Sequence, residues 1–353
     1  PLTTQEILEI RKFGYIFNCW MLNDDEFLST YGIYDDLVLE ADWEGTQYTY
    51  YSSTTITISN EYVIINLKNA SVSSSFNFTI SESVKSVSFL GAGKSFNNMR
   101  INISSREGAL ILGFDSISFK PAKSTTGTGY NAVNSTGNFT LYVIYKGECN
   151  ITGGEGKDGT SYYTTYDQAT NNNAGENGVT GGAGSNGGYG IKGYKINFSE
   201  YDEDSSIVIT GGKGGVGGRG GNGQQGSNGV NSPSGSFINP KKGDNGSTGG
   251  KGGTGGKGGN GGYAVYVASS TYLTVSSEGN YQFIGGAGGN GGAGGYGGNG
   301  GVGARDISTN IFNGVGDPGN GGNGGAGGNG GNGGDGNKAT NALNVDIKLM
   351  SPL

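Results

Sequence analysis

The sequence predicts an all-β protein in which a β-solenoid-like or β-sandwich domain precedes a bundle of six polyglycine II helices arranged as three hairpins. Three observations lead to this prediction: glycine-rich runs with a period of three, short alternating strands before them, and strand-like segments that bracket each run. The chain has 353 residues, 76 of them glycine. We expect three parts: an N-terminal helix and aromatic arm (1–54), a β-rich domain (55–149), and a domain of glycine-run hairpins with a β base (150–353).

The glycine-rich runs repeat the triplet Gly-Gly-X. Residues 285–302 read GGAGGNGGAGGYGGNGGV, and residues 320–335 continue the same pattern. A period of three matches a left-handed helix that rises ~3.1 Å per residue and makes no internal hydrogen bonds. Collagen needs proline at X or Y, and the whole chain has only 6 prolines. Helices with two bare glycine faces can bond laterally, so we expect side-by-side packing with X residues facing outward.

The runs are paired as outgoing and return segments. Strand-like sequence enters an outgoing run at residues 150–154, 207–212 and 282–286. A return run then leads back into apolar sequence at residues 181–196, 249–267 and 319–347. This spacing predicts three hairpins whose two ends meet in a β layer.

The segment before the runs has the pattern of short strands. Short strands are predicted at 55–58, 62–65, 76–80, 87–89, 100–103, 109–112 and 116–119, and several of them alternate between polar and apolar residues, bounded by Ser, Asn and Gly. The strand starts near Val87 and Leu110 lie about one parallel β-helix coil apart. Residues 55–125 therefore resemble the right-handed β-solenoids of cell surfaces and secreted proteins. A β-sandwich of seven or more strands is the alternative.

The Gly-Gly-X runs within 150–338 resemble two groups of polyglycine II repeat proteins. One is the snow-flea antifreeze protein, a bundle of six such helices. The other is the tip adhesins of phage long tail fibres, in which glycine-rich runs are joined by variable loops. Both resemblances imply architecture rather than activity. The mixed side chains of Lys213, Val216, Arg219 and Asn222 in one run indicate a solvated face and not a flat ice-binding face.

The N-terminal segment differs from the rest of the chain. Thr3 to Glu6 has the form of a capping box before a short helix, and a dense aromatic stretch follows from Phe13 to Tyr34. These aromatics either pack under the following sheet or dock on a neighbouring subunit. The chain has two cysteines, Cys19 and Cys149. In an oxidising compartment they are candidates for one disulfide, and the alternative is two unrelated thiols.

Composition excludes several functions. The chain has no histidine, which removes Ser-His-Asp and Cys-His catalysis and histidine metal sites. The net charge of −7 and scattered basic residues give no footprint for nucleic acid, and no apolar run is long enough to insert into a membrane. Acidic groups at 24–26, 35–36 and 200–204 read as solvated loops. We expect no catalytic residue, no cofactor and no metal.

Loops at the hairpin tips are the best candidates for recognition, because exposed aromatics on a rigid scaffold are typical of binding sites. The candidate residues are Tyr162, Tyr163, Tyr166, Phe237, Ile311 and Phe312. The alternative is that these side chains plug the ends of the bundle. Possible N-glycosylation sites lie at Asn69, Asn77, Asn102, Asn134, Asn138, Asn150, Asn197 and Asn245.

These patterns together predict a non-enzymatic extracellular or surface-exposed structural protein. Its simplest form is a self-assembling subunit of a surface filament or appendage, whose partners are copies of itself. The alternative is a receptor-binding adhesin of the fibre-tip type, which uses the hairpin loops to bind a cell-surface glycan or protein receptor. A third interpretation is a glycan-active β-solenoid enzyme that uses carboxylates.

Overall fold

Three sheets make up the regular structure of the residues that the structure describes. The computed structural model describes residues 13–22, 25–26, 40–163, 167–170, 173–230, 244–268, 272–277, 279–304, 325–326 and 342–350. This part of the chain contains 20 strands and no helix. A small N-terminal sheet is antiparallel, with the strand order β2-β1-β3. Its strands are β1 (Ile16–Leu22), β2 (Asp25–Glu26) and β3 (Glu40–Glu44).

The two larger sheets are parallel throughout. The large sheet has eleven strands: β4 (Thr46–Thr49), β6 (Tyr62–Asn66), β8 (Ser86–Phe96), β10 (Leu110–Phe119), β12 (Thr140–Lys146), β13 (Glu148–Thr152), β15 (Lys195–Glu200), β16 (Ser206–Thr210), β18 (Tyr272–Ser276), β19 (Asn280–Ile284) and β20 (Asp346–Met350). The second sheet has six: β5 (Thr54–Ile58), β7 (Phe76–Ile80), β9 (Met99–Ile103), β11 (Val133–Ser135), β14 (Ile191–Gly193) and β17 (Val265–Val267).

The chain winds between these two sheets in successive coils. Each coil adds one strand to the second sheet and one or two to the large sheet, beside the strands of the coil before. Coils begin to add two strands to the large sheet after the long strand β10, because the first half of β10 pairs with β12 and its end pairs with β13. The parallel pairing shows that the β-sandwich alternative for residues 55–149 is wrong. The large sheet also continues across the boundary expected at residue 150.

Apolar side chains fill the space between the two sheets. Strands such as β7 and β9 alternate between buried and half-buried residues, which points every second side chain inward. Phenylalanine rings contact one another in this interior, as in the edge-to-face contact between Phe78 and Phe89, whose ring centroids lie 5.2 Å apart. Phe89 in turn stacks on Phe114 at 6.0 Å. Burying each such ring contributes about 1.5–3 kcal/mol, so this interior stabilises the sheets.

The predicted bundle of six polyglycine II helices is wrong. The described residues contain no helix, and their regular elements are strands, most of them in parallel sheets. The glycine runs lie between strands of the same coils that build those sheets, as extended segments outside both sheets. They are therefore lateral extensions of the coils and not a separate helical domain. Most of the last return run lies outside the described residues.

Backbone hydrogen bonds join the glycine runs and recur every third residue. Outgoing runs donate to the outgoing run one coil later, from Gly211 to Ile284, Gly214 to Ala287, Gly217 to Asn290 and Gly220 to Ala293. A return run also donates to the outgoing run that precedes it, and the two run antiparallel. These bonds go from Gly253 to Gly221, Gly256 to Gly218 and Gly259 to Gly215. These N···O distances are 2.8–2.9 Å. Hydrogen bonding rather than an apolar core therefore holds this region together.

The coils lengthen along the chain. Arg100 on β9 bonds to Asn77 on β7, 23 residues earlier. Val216 bonds to Asp158 at a separation of 58 residues, and Lys251 bonds to Asn177 at a separation of 74. The added residues are the glycine runs, which leave the large sheet after β13, β16 and β19 and re-enter the second sheet at β14 and β17.

The N-terminal sheet packs on the outer face of the large sheet of the same chain. The Phe13 ring meets the Tyr201 ring edge-to-face at 5.3 Å. Gly14 lies so close to Ser88 and Ile64 that a Cβ at this position would come within 3.0–3.2 Å of them. The described part of the arm thus packs within its own chain. The helix predicted after Thr3 lies outside the described residues.

Candidate functional site

The predicted recognition residues are only partly described. Tyr163 is 70% exposed, and Tyr162 is half-buried with its N–H donated to the Arg219 carbonyl at 3.1 Å. The other four candidates lie outside the described residues: Tyr166, Phe237, Ile311 and Phe312.

Tyr163 belongs to a cluster on the outer face of three neighbouring outgoing runs. The Arg219 guanidinium carbon lies 5.6 Å from the centroid of the Tyr163 ring and 5.0 Å from that of the Tyr296 ring. Tyr296 is 72% exposed. We call these three residues the tyrosine–arginine cluster. Its cation–π contacts hold one positive charge between two exposed rings, a surface suited to a flat or anionic group.

Side chains from the X positions hold this cluster in place. The Arg219 N–H donates to the Ser161 hydroxyl at 3.0 Å, and the Tyr296 N–H donates to the Asn222 side chain at 3.1 Å. Arg219 also donates to the Asn222 Oδ1 atom at 3.3 Å. Sequence reasoning placed Arg219 on an ordinary solvated face and overlooked Tyr296. Only the alignment of runs 58 and 74 residues apart brings the two together.

A half-open groove of 770 Å³ lies between the N-terminal sheet and the large sheet. We call it the aromatic groove, because rings line it from both sides: Phe13, Tyr15, Phe17 and Trp43 on the N-terminal side, and Tyr62, Tyr142 and Tyr201 on the other. Asn197 on β15 also lines it and is only 8% exposed. The Asn197 Oδ1 atom is buried and accepts no hydrogen bond.

Glu200 is the one member of the predicted acidic groups with a buried, unpaired oxygen among the described residues. Its Oε1 atom accepts a hydrogen bond from Ser276 at 2.8 Å, and its Oε2 atom and the Tyr145 hydroxyl both lie beside Gly279. Burial raises the pKa of the Tyr145 hydroxyl, and the Glu200 charge raises it further. Within the described part of the chain, no group of His, Cys, Asp and Glu side chains is arranged to hold a metal ion.

The predicted disulfide between Cys19 and Cys149 is not formed, and both thiols are free. Cys149 faces the interior, where its Sγ atom lies 3.5 Å from the Phe114 carbonyl oxygen. Cys19 lies on β1 of the N-terminal sheet, on the other side of the large sheet. Burial raises the pKa of the Cys149 thiol, which keeps it protonated and unreactive at neutral pH.

The glycosylation candidates differ in access. Asn69, Asn138, Asn150 and Asn245 are exposed, Asn77, Asn102 and Asn134 are half-buried, and Asn197 is buried. Asn77 already accepts hydrogen bonds from Arg100 and Asn102 through its side chain. The buried amide of Asn197 is therefore the least accessible of the eight to a modifying enzyme.

Both ends of the stacked coils have strands with an open edge. Among the described strands, β4 pairs only with β6, and β20 pairs only with β18. All four residues of β4 are exposed. On β20, Ile347 is 43% exposed and Leu349 is 58% exposed. These two edges present unpaired backbone groups at opposite ends of one parallel sheet.

Comparisons with known proteins give little to add to this geometry. No protein-family model matches the chain, and no curated protein matches it. One solved structure has 26% sequence identity: the springtail antifreeze protein from Granisotoma rainieri, described as a bundle of nine polyproline type II helices. The match covers 48% of this chain and 94% of that one, with a TM-score of 0.09. At that score the two structures do not superpose, and the similarity carries no argument. Within the described residues, no helix is long and apolar enough to cross a membrane.

Proposed function

We propose that this protein is a non-enzymatic, surface-exposed structural subunit that assembles head to tail into a filament. The observation that carries the proposal is that strands with an open edge lie at both ends of the coil stack, β4 at one end and β20, with β19, at the other. A strand with an unpaired edge is a template for pairing with another chain.

The direction of the strands favours a filament over a closed dimer. Because all pairs in the large sheet are parallel, β20 of one copy and β4 of the next can pair as two successive coils do within a chain. Such a contact joins two different surfaces, so it repeats without closing unless the rotation happens to form a ring. The exposed Ile347 and Leu349 side chains would be covered in the same step.

Within the described residues, β4 has no charged residue or proline, and β20 has only a small number of charges. Natural edge strands are blunted by inward charges, proline or covering elements. β4 consists of Thr, Gln, Tyr and Thr, and β20 has two charged residues, Asp346 and Lys348, among three apolar ones. The composition, rich in Gly, Ser, Thr and Asn with few charged residues, suits an extracellular location.

Electron microscopy of the purified chain over a range of concentrations tests assembly. We expect unbranched filaments that lengthen as concentration rises, with one subunit repeat along the axis. A chain that stays monomeric at the highest soluble concentration would show that the edges do not pair.

The second candidate is an adhesin, and the tyrosine–arginine cluster is the observation that favours it. Tyr163 and Tyr296 offer exposed ring faces, and Arg219 adds a positive charge on a hydrogen-bonded scaffold. An acidic glycan fits this chemistry, since a sugar ring can lie on a tyrosine while a carboxylate bonds to the guanidinium.

A glycan array separates the two candidates. For an adhesin, the double variant Tyr163→Ala/Tyr296→Ala should lose binding to acidic glycans, whereas Tyr51→Ala, an exposed tyrosine elsewhere, should keep it. Equal array signals from both variants would remove the cluster as a receptor site, and filament assembly should be unchanged in either variant.

A further inference from the structure

The aromatic groove has the size and lining of a small-molecule site. Its volume of 770 Å³ lies within the range of about 300–1,000 Å³ that is typical of ligand pockets. The lining is mainly apolar, with a floor that includes Ala109, Ile111 and Gly113 of the large sheet. Pockets of this kind bind an apolar body and fix its orientation with a few polar groups.

Ring contacts on both sides fix the walls of the groove. Phe17 and Trp43 on the N-terminal sheet meet edge-to-face at 5.8 Å, and Phe13 meets Tyr201 at 5.3 Å. Tyr142 stands on the opposite wall, in β12. A flat ring system placed between the two walls would contact aromatic faces or edges on either side, in arrangements that favour aromatic pairs.

Asn197 supplies a neutral polar group without a hydrogen-bond partner. It lies beside Tyr142 in the pairing of β12 with β15, and its Oδ1 atom is buried without a donor. A buried acceptor left unpaired costs about 1–3 kcal/mol. Because Asn197 lines the groove, a ligand hydroxyl bound there could donate to this oxygen.

Lys85 and Glu200 are the charged groups of the lining. Lys85 forms an ion pair with Glu61, and its ammonium group lies 5.8 Å from the Tyr62 ring centroid. The Glu200 Oε1 atom accepts the Ser276 hydroxyl, while its Oε2 atom, like the Asn197 Oδ1 atom, is buried without a hydrogen-bond partner. Both unpaired atoms are acceptors, which favours a ligand that brings a hydroxyl donor.

We propose that the aromatic groove binds a flat, apolar ring compound that carries a hydroxyl group, and that this hydroxyl donates to Asn197. The inference is independent of filament assembly, because the groove lies on the face of the large sheet and not at its edges. It also gives a role to an asparagine whose sequence context suggested only a glycosylation site.

Calorimetric titration of the full chain with 2-naphthol and with naphthalene tests the proposal. We expect the wild-type chain to bind 2-naphthol about fivefold more tightly than naphthalene, the size of one net hydrogen bond. Asn197→Leu should abolish this preference and leave naphthalene binding within about twofold. Tyr51→Ala, which lies outside the groove, should bind both compounds as the wild type does.

Trp43→Ala provides an independent check, since it removes one wall and keeps the amide. This variant should bind both compounds more weakly, by a similar factor, and should still bind 2-naphthol more tightly than naphthalene. The proposal is overturned by equal wild-type affinity for the two compounds, by an unchanged preference in Asn197→Leu, or by failure to bind either compound. Tighter binding of cellotriose or of a naphthyl ammonium compound would also overturn it, since it would assign the groove to sugars or cations.

Discussion

Gly218 shows why the glycine runs tolerate no side chain at their inner positions. Its N–H donates to Gly182 on the return run, and its carbonyl accepts from Gly256. A Cβ at Gly218 would lie 1.9 Å from the carbonyl oxygen of Thr160, well inside any real contact distance. Because the neighbour is backbone, relief requires the runs to separate.

Gly218→Ala is therefore expected to lower the free energy of unfolding by about 3 kcal/mol or more. The matched control is Gly127→Ala, where nothing lies within 4 Å of the added methyl group. Denaturant titration with both variants measures the difference. A Gly218→Ala chain as stable as the control would mean that the runs do not pack as described.

Tyr145 links stability to alkaline pH. Its pKa is raised above the ordinary value of 10.0, first by burial and then by Glu200, so the folded chain keeps this proton after the unfolded chain has lost it. Stability present below pH 10 is then lost as pH rises toward the folded pKa, by about 1 kcal/mol per pH unit. Unfolding titrations at pH 9, 10 and 11 should show a shallower decline for Tyr145→Phe. An identical decline in both chains would disprove the link.

At the scale of elements, the X positions form ladders between runs. The Asn177 and Asn186 side chains accept the N–H groups of Lys251 and Asn260, at 2.8 and 2.9 Å. Asn228 accepts the N–H of Val302 in the same way. A triplet repeat allows neighbouring runs to slip by three residues without altering the glycine contacts. These asparagines distinguish one register from the next.

Removing two of these asparagine side chains should lower the free energy of unfolding by the sum of the two single effects. Asn177→Ala/Asn186→Ala is expected to lose about 2 kcal/mol, roughly 1 for each hydrogen bond, because the two sites are far apart along the run. Lys257→Ala, an exposed X position on the adjoining run, serves as the control and should change little. If the double variant has the same free energy of unfolding as the control, these hydrogen bonds do not contribute to stability.

The strands could be predicted from the sequence, and the neighbours of the glycine runs could not. The pattern of short apolar and alternating segments located β5, β6, β7 and β9, whereas β8 was predicted too short and β10 was predicted as two strands. Gly-Gly-X triplets carry no such contrast, so the sequence did not reveal that outgoing runs 74 residues apart lie side by side. For the same reason Tyr296 read as one more X residue. The sequence left open whether Cys19 and Cys149 form a disulfide, because the side of the sheet that each occupies depends on how the N-terminal arm folds back, and both thiols are free.

At the scale of the whole molecule, the open edges of β4 and β20 allow more than one kind of contact between copies. A contact between β20 of one copy and β4 of the next needs one end from each partner. A contact between two β20 strands, or between two β4 strands, would instead close a symmetric dimer. Blocking one end at a time separates these arrangements, and lysines on an edge strand are a natural block.

The most direct measurement is sedimentation velocity on two blocked variants, alone and mixed. Ile347→Lys/Leu349→Lys blocks the β20 end, and Gln47→Lys/Thr49→Lys blocks the β4 end. We expect each variant alone to sediment as a monomer, and an equal mixture to form a dimer and nothing larger, because each partner contributes its one open end. A mixture that remains monomeric, or a single variant that dimerises by itself, would contradict head-to-tail assembly.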